Sequence, residues 1–317
     1  MLKDRIRKQE CVVNFKQECE EKREPHTIIF ISNDRVLSEK TIEAFAQTII
    51  CNDQCGECLN CKKLLSKNHP DVMYFPTKNQ LLVDDSNKIS AESFVKPIFA
   101  DKKVFVIYNF DKSTEEAQNK LLKIFEEPNE NVYYLLSTTC IEKVLPTIRS
   151  RCFKIYLNNL QREDLESEIS ATCDRDLVLE LAKNNLGKAI ELSTNKNLEE
   201  VFELAFSILK DMKTSKQVVI YASKVLAKKD SFDLLLSILV TLLEDILAKL
   251  CKKDELVLLK SRDEALTSVV KDYTVKSVCE IEKLIRKVNE ERTYNVNLTN
   301  VVDNLLLGIL EVKYLCK

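Results

Sequence analysis

The sequence predicts a parallel α/β domain that carries a metal-binding insertion and is followed by helical domains. Three observations lead to this prediction. Strand patterns alternate with helix patterns over about residues 27–156, and the strand patterns fade after about residue 158. Four cysteines within eleven residues interrupt the first region. Strands that alternate with helices are typical of a parallel sheet that helices cover on both faces.

Five short apolar runs predict the strands of this sheet. They are Thr27–Ser32, Val72–Phe75, Lys103–Tyr108, Val132–Ser137 and Phe153–Tyr156. Ser38 is expected to cap a helix that runs to about Ile50. Ser113 and Glu116 form a capping-box pattern, which predicts a helix that ends before Pro128.

The second half of the chain predicts only helices. Residues 159–205 have the pattern of a small helical unit, and residues 206–317 have that of a larger helical bundle. Within the bundle, Phe232–Leu250 is an amphipathic stretch. The α/β domain is therefore expected to span residues 1–158, with the cysteine-rich insertion at residues 51–61.

The composition limits the classes of function. The 317 residues include 48 basic and 50 acidic side chains, for a net charge of -2, so the whole chain exerts no strong pull on nucleic acid or membranes. The longest uncharged apolar stretch, Leu234–Leu243, is too short to span a bilayer. The charged first residues lack a signal-peptide pattern, and twelve cysteines without one indicate a reducing compartment. We expect a cytoplasmic protein that does not enter membranes.

The cysteine cluster predicts a structural zinc site. Cys51, Cys55, Cys58 and Cys61 have the spacing C-x3-C-x2-C-x2-C. Four thiolates satisfy a tetrahedral zinc ion and leave no position for a reacting water, so a catalytic zinc is not expected. Gly56 relieves the turn between the second and third ligands. The alternative interpretation is a group of reduced cysteines without a metal.

The segment after the first strand has the spacing of a phosphate-binding loop without its glycines. Lys40 and Thr41 stand where the loop G-x-x-x-x-G-K-[ST] has its last two residues, but Asp34 and Glu39 replace both glycines. Such a loop turns consecutive backbone N–H groups toward phosphate, and two carboxylates would repel the anion. An ordinary strand–turn–helix is the alternative.

A second part of nucleotide chemistry is also altered. Nucleotide-hydrolysing α/β proteins carry acidic residues at the end of a later strand, where they hold magnesium. Here Tyr108 and Asn109 occupy that place, and Asp111 is predicted to belong to the cap of the next helix. Two such losses in one chain favour a nucleotide-binding scaffold that has lost its own hydrolysis.

Three longer runs then carry a family resemblance: Lys103–Lys112, Glu116–Pro128 and Leu145–Cys152. They resemble the bacterial clamp-loader branch of the AAA+ proteins, and within it the delta-prime family of DNA polymerase III subunits. The cysteine cluster resembles that family's zinc module, although its first gap is shorter than usual. His69-Pro70-Asp71 follows at the expected place, and Leu186–Ala189 resembles the family's lid motif.

The resemblance implies an architecture and a set of site residues. The expected fold is an AAA+ parallel-sheet module with a zinc insertion, a small helical lid at residues 159–205 and a C-terminal helical collar for oligomerisation at residues 206–317. Arg151 matches the arginine that such subunits supply in trans to a neighbour's ATP. The positions that contact nucleotide in active relatives are expected to be vestigial: Lys40, Thr41 and Lys188. Lys123 is a tentative contact to DNA phosphates.

The resemblance also implies cofactors and partners. Zinc is expected to be structural, and ATP is not expected to be bound productively by this chain. The implied partners are gamma/tau-like ATPase subunits, a delta-like subunit, the sliding clamp and primer–template DNA. The implied function is a non-hydrolysing, delta-prime-like subunit that helps to load the clamp during DNA replication.

Two other functions stay open at this stage. The first is an ATP-hydrolysing, gamma/tau-like clamp-loader subunit, and the second is a zinc-stabilised nucleic-acid-binding module. No catalytic site of its own is expected for the chain, although a delta-prime-like subunit is part of a DNA-directed DNA polymerase holoenzyme. ATP turnover by the isolated chain would distinguish the first alternative.

Overall fold

The structure is a computed structural model of the chain. It describes residue 6 and residues 9–21, 23–51, 53–169, 174–293 and 296–315. These residues divide into two compact units. The first unit comprises residues 1–168 together with 185–188, and the second comprises residues 169–184 together with 189–317. The predicted division into three parts stays a prediction.

The first unit contains a five-stranded parallel sheet. Its strands are β1 (Thr27–Ile31), β2 (Val72–Phe75), β3 (Lys103–Ile107), β4 (Val132–Thr138) and β5 (Phe153–Tyr156). The strand order is β2-β3-β4-β1-β5, and every neighbouring pair is parallel. All five predicted strands are confirmed. The fold class predicted for this part, a parallel α/β module, is therefore confirmed.

Seven helices accompany the sheet in the described part of this unit. They are α1 (Glu10–Glu20), α2 (Arg35–Ile50), α3 (Leu59–Leu65), α4 (Val83–Ser93), α5 (Glu115–Glu126), α6 (Pro146–Arg149) and α7 (Arg162–Glu166). The central strands are buried along their whole length, which explains their continuous apolar sequences. Phe105 stacks on Tyr134, with ring centroids 5.4 Å apart, and Phe125 of α5 meets Tyr134 edge-on.

Two predicted helix caps are wrong, by four residues and by one. The cap of helix α2 is Asp34, not Ser38, because the Asp34 side chain accepts a hydrogen bond from the backbone N–H of Leu37 at 3.0 Å, and the helix begins at Arg35. Helix α5 begins after Thr114, whose hydroxyl accepts from the N–H of Ala117 at 3.2 Å. The two serines have other roles: the Ser38 hydroxyl donates to the carbonyl of Asp34 at 3.0 Å, and the Ser113 hydroxyl donates to the carbonyl of Phe110.

The second unit is helical in its described part. Its helices are α8 (Arg175–Ala182), α9 (Leu186–Thr194, whose first turn belongs to the first unit), α10 (Leu198–Asp211), α11 (Ser215–Ala227), α12 (Phe232–Leu250), α13 (Asp263–Val270), α14 (Val275–Thr293) and α15 (Leu298–Leu315). The apolar face of α12 is buried, as its amphipathic pattern predicts. Among the described residues, no helix combines the length and apolarity that a membrane crossing needs.

Candidate functional site

The segment with phosphate-loop spacing forms the start of a helix and not an open loop. Helix α2 starts at Arg35, and the backbone N–H of Ser38 donates to the carbonyl of Asp34 at 3.0 Å. Thr41 is fully buried, and its hydroxyl donates to the carbonyl of Leu37 at 2.8 Å. A phosphate loop needs these N–H groups and this hydroxyl to face the ligand. In this chain the helix itself uses them.

Asp34 caps this helix and also accepts hydrogen bonds from a distant segment of the chain. Its side chain is 0% exposed. One carboxylate oxygen accepts hydrogen bonds from the backbone N–H of Leu37 at 3.0 Å and of Gly187 at 3.3 Å, and the other accepts from the N–H of Leu186. The Asn185 amide donates to the carbonyl of Asn33 at 3.3 Å. Residues 185–188 are thus joined to the start of α2 within the first unit.

The remaining positions of the predicted nucleotide site are also engaged or displaced. Glu39 forms an ion pair with Arg35 at 2.8 Å on the surface of α2. Lys40 is half-buried and lines a cavity of about 120 Å³ beside Glu43 and Gln47. Lys188 is half-buried, and its backbone N–H donates to the Asn185 side chain at 2.8 Å. The structure brings the segment that holds Lys188 to Asp34, while Lys40 faces a separate cavity.

The end of β3 carries no acidic pair. Asn109 has a left-handed backbone with φ +52°, and its N–H donates to the Ser137 hydroxyl at 3.0 Å. The Tyr108 hydroxyl is buried without a hydrogen-bond partner in the described part of the chain. Burial, with smaller contributions from Glu43 and Tyr74, raises the pKa of Tyr108, so the phenol is neutral.

Asp111 does not cap the next helix, contrary to the sequence-based prediction. It lies in a short 3₁₀ turn, Phe110–Lys112. Its carboxylate accepts hydrogen bonds from the hydroxyls of Thr138 and Thr139 at 3.2 and 3.1 Å, and from the Thr139 N–H at 3.2 Å. The carboxylate therefore fixes the end of β4, and these hydrogen bonds occupy both of its oxygens.

The four cysteines of the cluster converge. Their Sγ atoms all lie within 4.8 Å of one another. Cys51 is 3.8 Å from Cys55 and 3.9 Å from Cys58, and Cys55 is 4.0 Å from Cys61. A tetrahedral zinc with Zn–S bonds of about 2.3 Å requires sulfur–sulfur separations of about 3.8 Å. The four sulfurs therefore fit a zinc ion. Asn52, inside the predicted insertion, lies outside the described residues.

The surroundings of the cluster shift the pKa values of two of its thiols in opposite directions. The backbone N–H groups of Cys58 and Glu57 lower the pKa of Cys55 to about 6. Burial raises the pKa of Cys61 to about 12. A coordinated cation deprotonates such a buried thiol outright. The Gln47 amide, on α2, donates to the Cys61 sulfur at 3.3 Å, so the last turns of α2 support the cluster.

His69-Pro70-Asp71 connects the cluster helix to the loop before β3. The His69 ring lies 3.3 Å from the Asn60 side chain on α3. The buried Asp71 carboxylate accepts three backbone hydrogen bonds, each 2.7 Å long, from Ile98, Phe99 and Ala100. Burial alone would raise the pKa of Asp71, but the three N–H groups outweigh it, and the pKa lies below its usual value.

Arg151 lies at the surface just after α6. Its guanidinium donates to the Thr147 carbonyl at 2.8 Å and forms an ion pair with Glu126 of α5 at 2.6 Å. The side chain remains 37% exposed. Sequence reasoning did not identify Glu126 as its partner, because 25 positions separate the two residues.

Arg149 has different surroundings from Arg151. Its Nε atom is buried and has no hydrogen-bond partner among the described residues. The side chain lines a surface groove together with Lys154, Tyr156 and Glu142. Arg149 and Arg151 therefore contact different groups.

Lys123 occupies an exposed position on α5, one turn before Glu126. Lys120 and Lys112 are also exposed. Within the described ranges, no carboxylate forms an ion pair with any of the three lysines. An exposed lysine without an ion-pair partner can contact phosphate without recognising a base.

Comparisons with known proteins find similar sequences for the first half of the chain. Residues 7–161 match the profile of the family described as "DNA polymerase III, delta subunit". The DNA polymerase III subunit delta' of Bacillus subtilis is 31% identical over 155 residues, which are 47% of this chain and 46% of that protein. The subunit delta' of Buchnera aphidicola is 32% identical over 158 residues, covering 45% and 46% of the two chains.

Two further relatives broaden the comparison. The DNA polymerase III subunit tau/gamma of Haemophilus influenzae is 29% identical over 150 residues, covering 46% of this chain and 22% of that protein. A solved structure of a DNA polymerase III gamma subunit-related protein from Thermotoga maritima aligns with 95% of this chain and 99% of its own, at 18% identity and a TM-score of 0.45. The chain spans less than half the length of each of these three curated relatives.

Proposed function

We propose, from the match of residues 7–161 to the family described as "DNA polymerase III, delta subunit" and from the similarity to delta' subunits, that this chain is a non-hydrolysing subunit of a replicative clamp loader. The observation that carries this proposal is the closed phosphate segment. Helix α2 begins at Arg35, and the buried Asp34 carboxylate lies at its amino end. A chain whose phosphate segment forms a helix in this way would contribute to ATP turnover only at the ATP site of a neighbouring subunit.

Arg151 is the residue by which it would do so. A guanidinium bridges phosphate oxygens and offsets the charge that develops during phosphoryl transfer. In the isolated chain Arg151 is held by Glu126, but both side chains are more than one-third exposed. Exposed ion pairs contribute about 0–1 kcal/mol, so the guanidinium can exchange Glu126 for a neighbour's phosphate at little cost.

The other parts of the chain support this role. Zinc, held by the four cysteines, would stabilise the end of α2 and would take no part in chemistry. The collar, residues 206–317, would pack with gamma/tau-like ATPase subunits and a delta-like subunit. Lys123 would contact the phosphates of primer–template DNA while the assembly opens and places the sliding clamp. The assembly would act in the cytoplasm, where the chromosome is replicated.

The test is ATP turnover by the reconstituted complex. With Arg151→Ala, the complex is expected to assemble normally and to lose about tenfold or more of the turnover at the adjacent site, since an arginine supplied in trans is worth at least that much. Arg151→Lys should restore little, because an ammonium cannot bridge two oxygens. Arg162→Ala, which removes an exposed arginine paired with Glu166, is the control. Unchanged turnover in Arg151→Ala would contradict the proposal.

A gamma/tau-like hydrolysing subunit is the second candidate, favoured by the match to a tau/gamma subunit. The isolated chain separates the two functions. We expect no ATP turnover and no magnesium-ATP binding at about 1 mM nucleotide. This concentration is at the upper end of the KM values that enzymes usually have for their substrates. Turnover by the isolated chain that Lys40→Ala abolishes would establish the second candidate. Failure to co-purify with any AAA+ ATPase would favour the zinc-stabilised nucleic-acid-binding module.

A further inference from the structure

We propose that the Asp34 carboxylate is a built-in substitute for a bound phosphate, which holds residues 185–188 against the start of α2 without any nucleotide. The inference concerns contacts inside one chain, so it does not depend on the clamp-loader function. Asp34, which stands in place of the first glycine of the loop, would therefore have a structural role of its own: it would hold two segments of the chain together.

The Asp34 carboxylate accepts hydrogen bonds from the amino ends of two helices. Asp34 precedes the first turn of α2, and Leu186 and Gly187 form the first turn of α9. The amino ends of both helices therefore direct backbone N–H groups at one carboxylate. Helix amino ends carry partial positive charge and unsatisfied donors, and they bind phosphate in nucleotide-binding proteins for that reason. Here a side chain supplies the anion.

The second step is the absence of room for another anion. Asp34 is 0% exposed, so its charge is stabilised by the N–H donors and not by water. Gly187 makes the close approach possible. A Cβ atom added there would lie 3.1 Å from a Val36 methyl group and 3.5 Å from the Asp34 carboxylate. The backbone at position 187 therefore packs directly on the start of α2.

The consequence is a permanent connection. In a site that binds nucleotide, the phosphate is present or absent, and the contacts it bridges form or break with it. In this chain the anion is covalently attached through Asp34, at the position where the loop sequence would have glycine. Residues 185–188 should thus stay attached to the first unit at every nucleotide concentration.

Chemical rescue tests this substitution directly. Asp34→Gly restores the glycine and removes the anion, and Asp34→Asn keeps the shape but removes the charge. Glu39→Gln, at the second replaced glycine, is the matched control because Glu39 forms its ion pair with Arg35 on the surface. The measurements are hydrogen exchange of the Leu186 and Gly187 amides and the melting temperature of the full chain, with sodium pyrophosphate or with sodium chloride at equal ionic strength.

The expected results separate the variants. In Asp34→Asn and Asp34→Gly, the two amides should exchange at least tenfold faster than in the wild type, and Glu39→Gln should match the wild type. Pyrophosphate should raise the melting temperature of Asp34→Gly by several degrees more than chloride does, and should leave the wild type unaffected.

Two outcomes would overturn the proposal. One is wild-type protection of both amides in Asp34→Asn, which decides the matter even where Asp34→Gly does not fold. The other is a folded Asp34→Gly whose stability responds equally to pyrophosphate and chloride. Neither outcome bears on Arg151, so the proposed function is tested separately.

Discussion

The guanidinium of Arg151 and the carboxylate of Glu126 lie 2.6 Å apart, although α5 carries one and the turn after α6 carries the other. The pair gives Arg151 a defined position in the isolated chain. Because the pair is exposed, it positions the guanidinium more than it stabilises the fold. This distinction leads to the first prediction.

Glu126→Gln should separate positioning from function. The free energy of unfolding of the isolated chain should change by no more than about 1 kcal/mol, as for other exposed ion pairs. ATP turnover by the reconstituted complex should be retained or rise, because Arg151 is released from a competing carboxylate. Urea unfolding and steady-state turnover check the two parts. Glu166→Gln, which breaks the comparable Arg162 pair, is the control. A loss of turnover as large as that of Arg151→Ala would show that Glu126 holds Arg151 in its active position.

The zinc content of the purified chain should depend on the four clustered cysteines and not on the other cysteines. Cys61→Ser replaces the buried sulfur among the four, so the purified chain should lose its zinc and melt at a lower temperature. Cys140→Ser is the control, since Cys140 lies outside the cluster and contacts Glu142. Metal analysis and thermal unfolding provide the measurements. A wild-type chain without stoichiometric zinc after purification in metal-replete medium would refute the structural zinc site.

Asp71 should make stability depend on pH in acid. Its folded-state pKa is lowered, so its contribution is present above the unfolded value of about 3.9 and disappears as the pH falls through the folded value. Asp71→Asn should cost about 1–3 kcal/mol at pH 7, because an amide cannot accept all three N–H groups. Urea unfolding at pH 7 and pH 3 measures the difference between wild type and variant. The difference should shrink at pH 3; an equal difference at both values would contradict this account. Asp101→Asn, at an exposed position, provides the control.

Lys123 should contribute one phosphate contact to DNA binding. For the reconstituted complex on primer–template DNA, Lys123→Ala should weaken binding equally for different sequences and reduce the slope of log K against log salt by about 1. Fluorescence anisotropy across a salt series measures both quantities. Lys283→Ala, which removes an exposed lysine paired with Glu280, should leave the slope unchanged. An unaltered slope in Lys123→Ala would exclude this contact.

The sequence predicted the sheet well and the site only in part. The strands could be predicted because each is a short apolar run. A central parallel strand such as β3 needs apolar residues on both of its faces. The cysteine spacing likewise predicted the convergence of four sulfurs. In both cases the signal lies within a few neighbouring residues.

The roles of Asp34, Asp111 and Asp71 depended on distant residues. Asp34 was recognisable as a replaced glycine, but two of its three N–H donors lie 152 and 153 positions away. Asp111 was assigned to the wrong helix, because its partners are at the end of β4. Asp71 meets a loop 27–29 positions later. Tertiary contacts of this length leave no periodic pattern in a single sequence.

Helix α2 joins two features that the sequence presents separately. Its 16 residues make a rod about 24 Å long. Asp34 fixes one end, and at the other end Gln47 and Cys51 belong to the cysteine cluster. Because the two ends lie about 24 Å apart along one helix, the effects of losing zinc and of losing the Asp34 charge on the free energy of unfolding should add, as those of well-separated sites do.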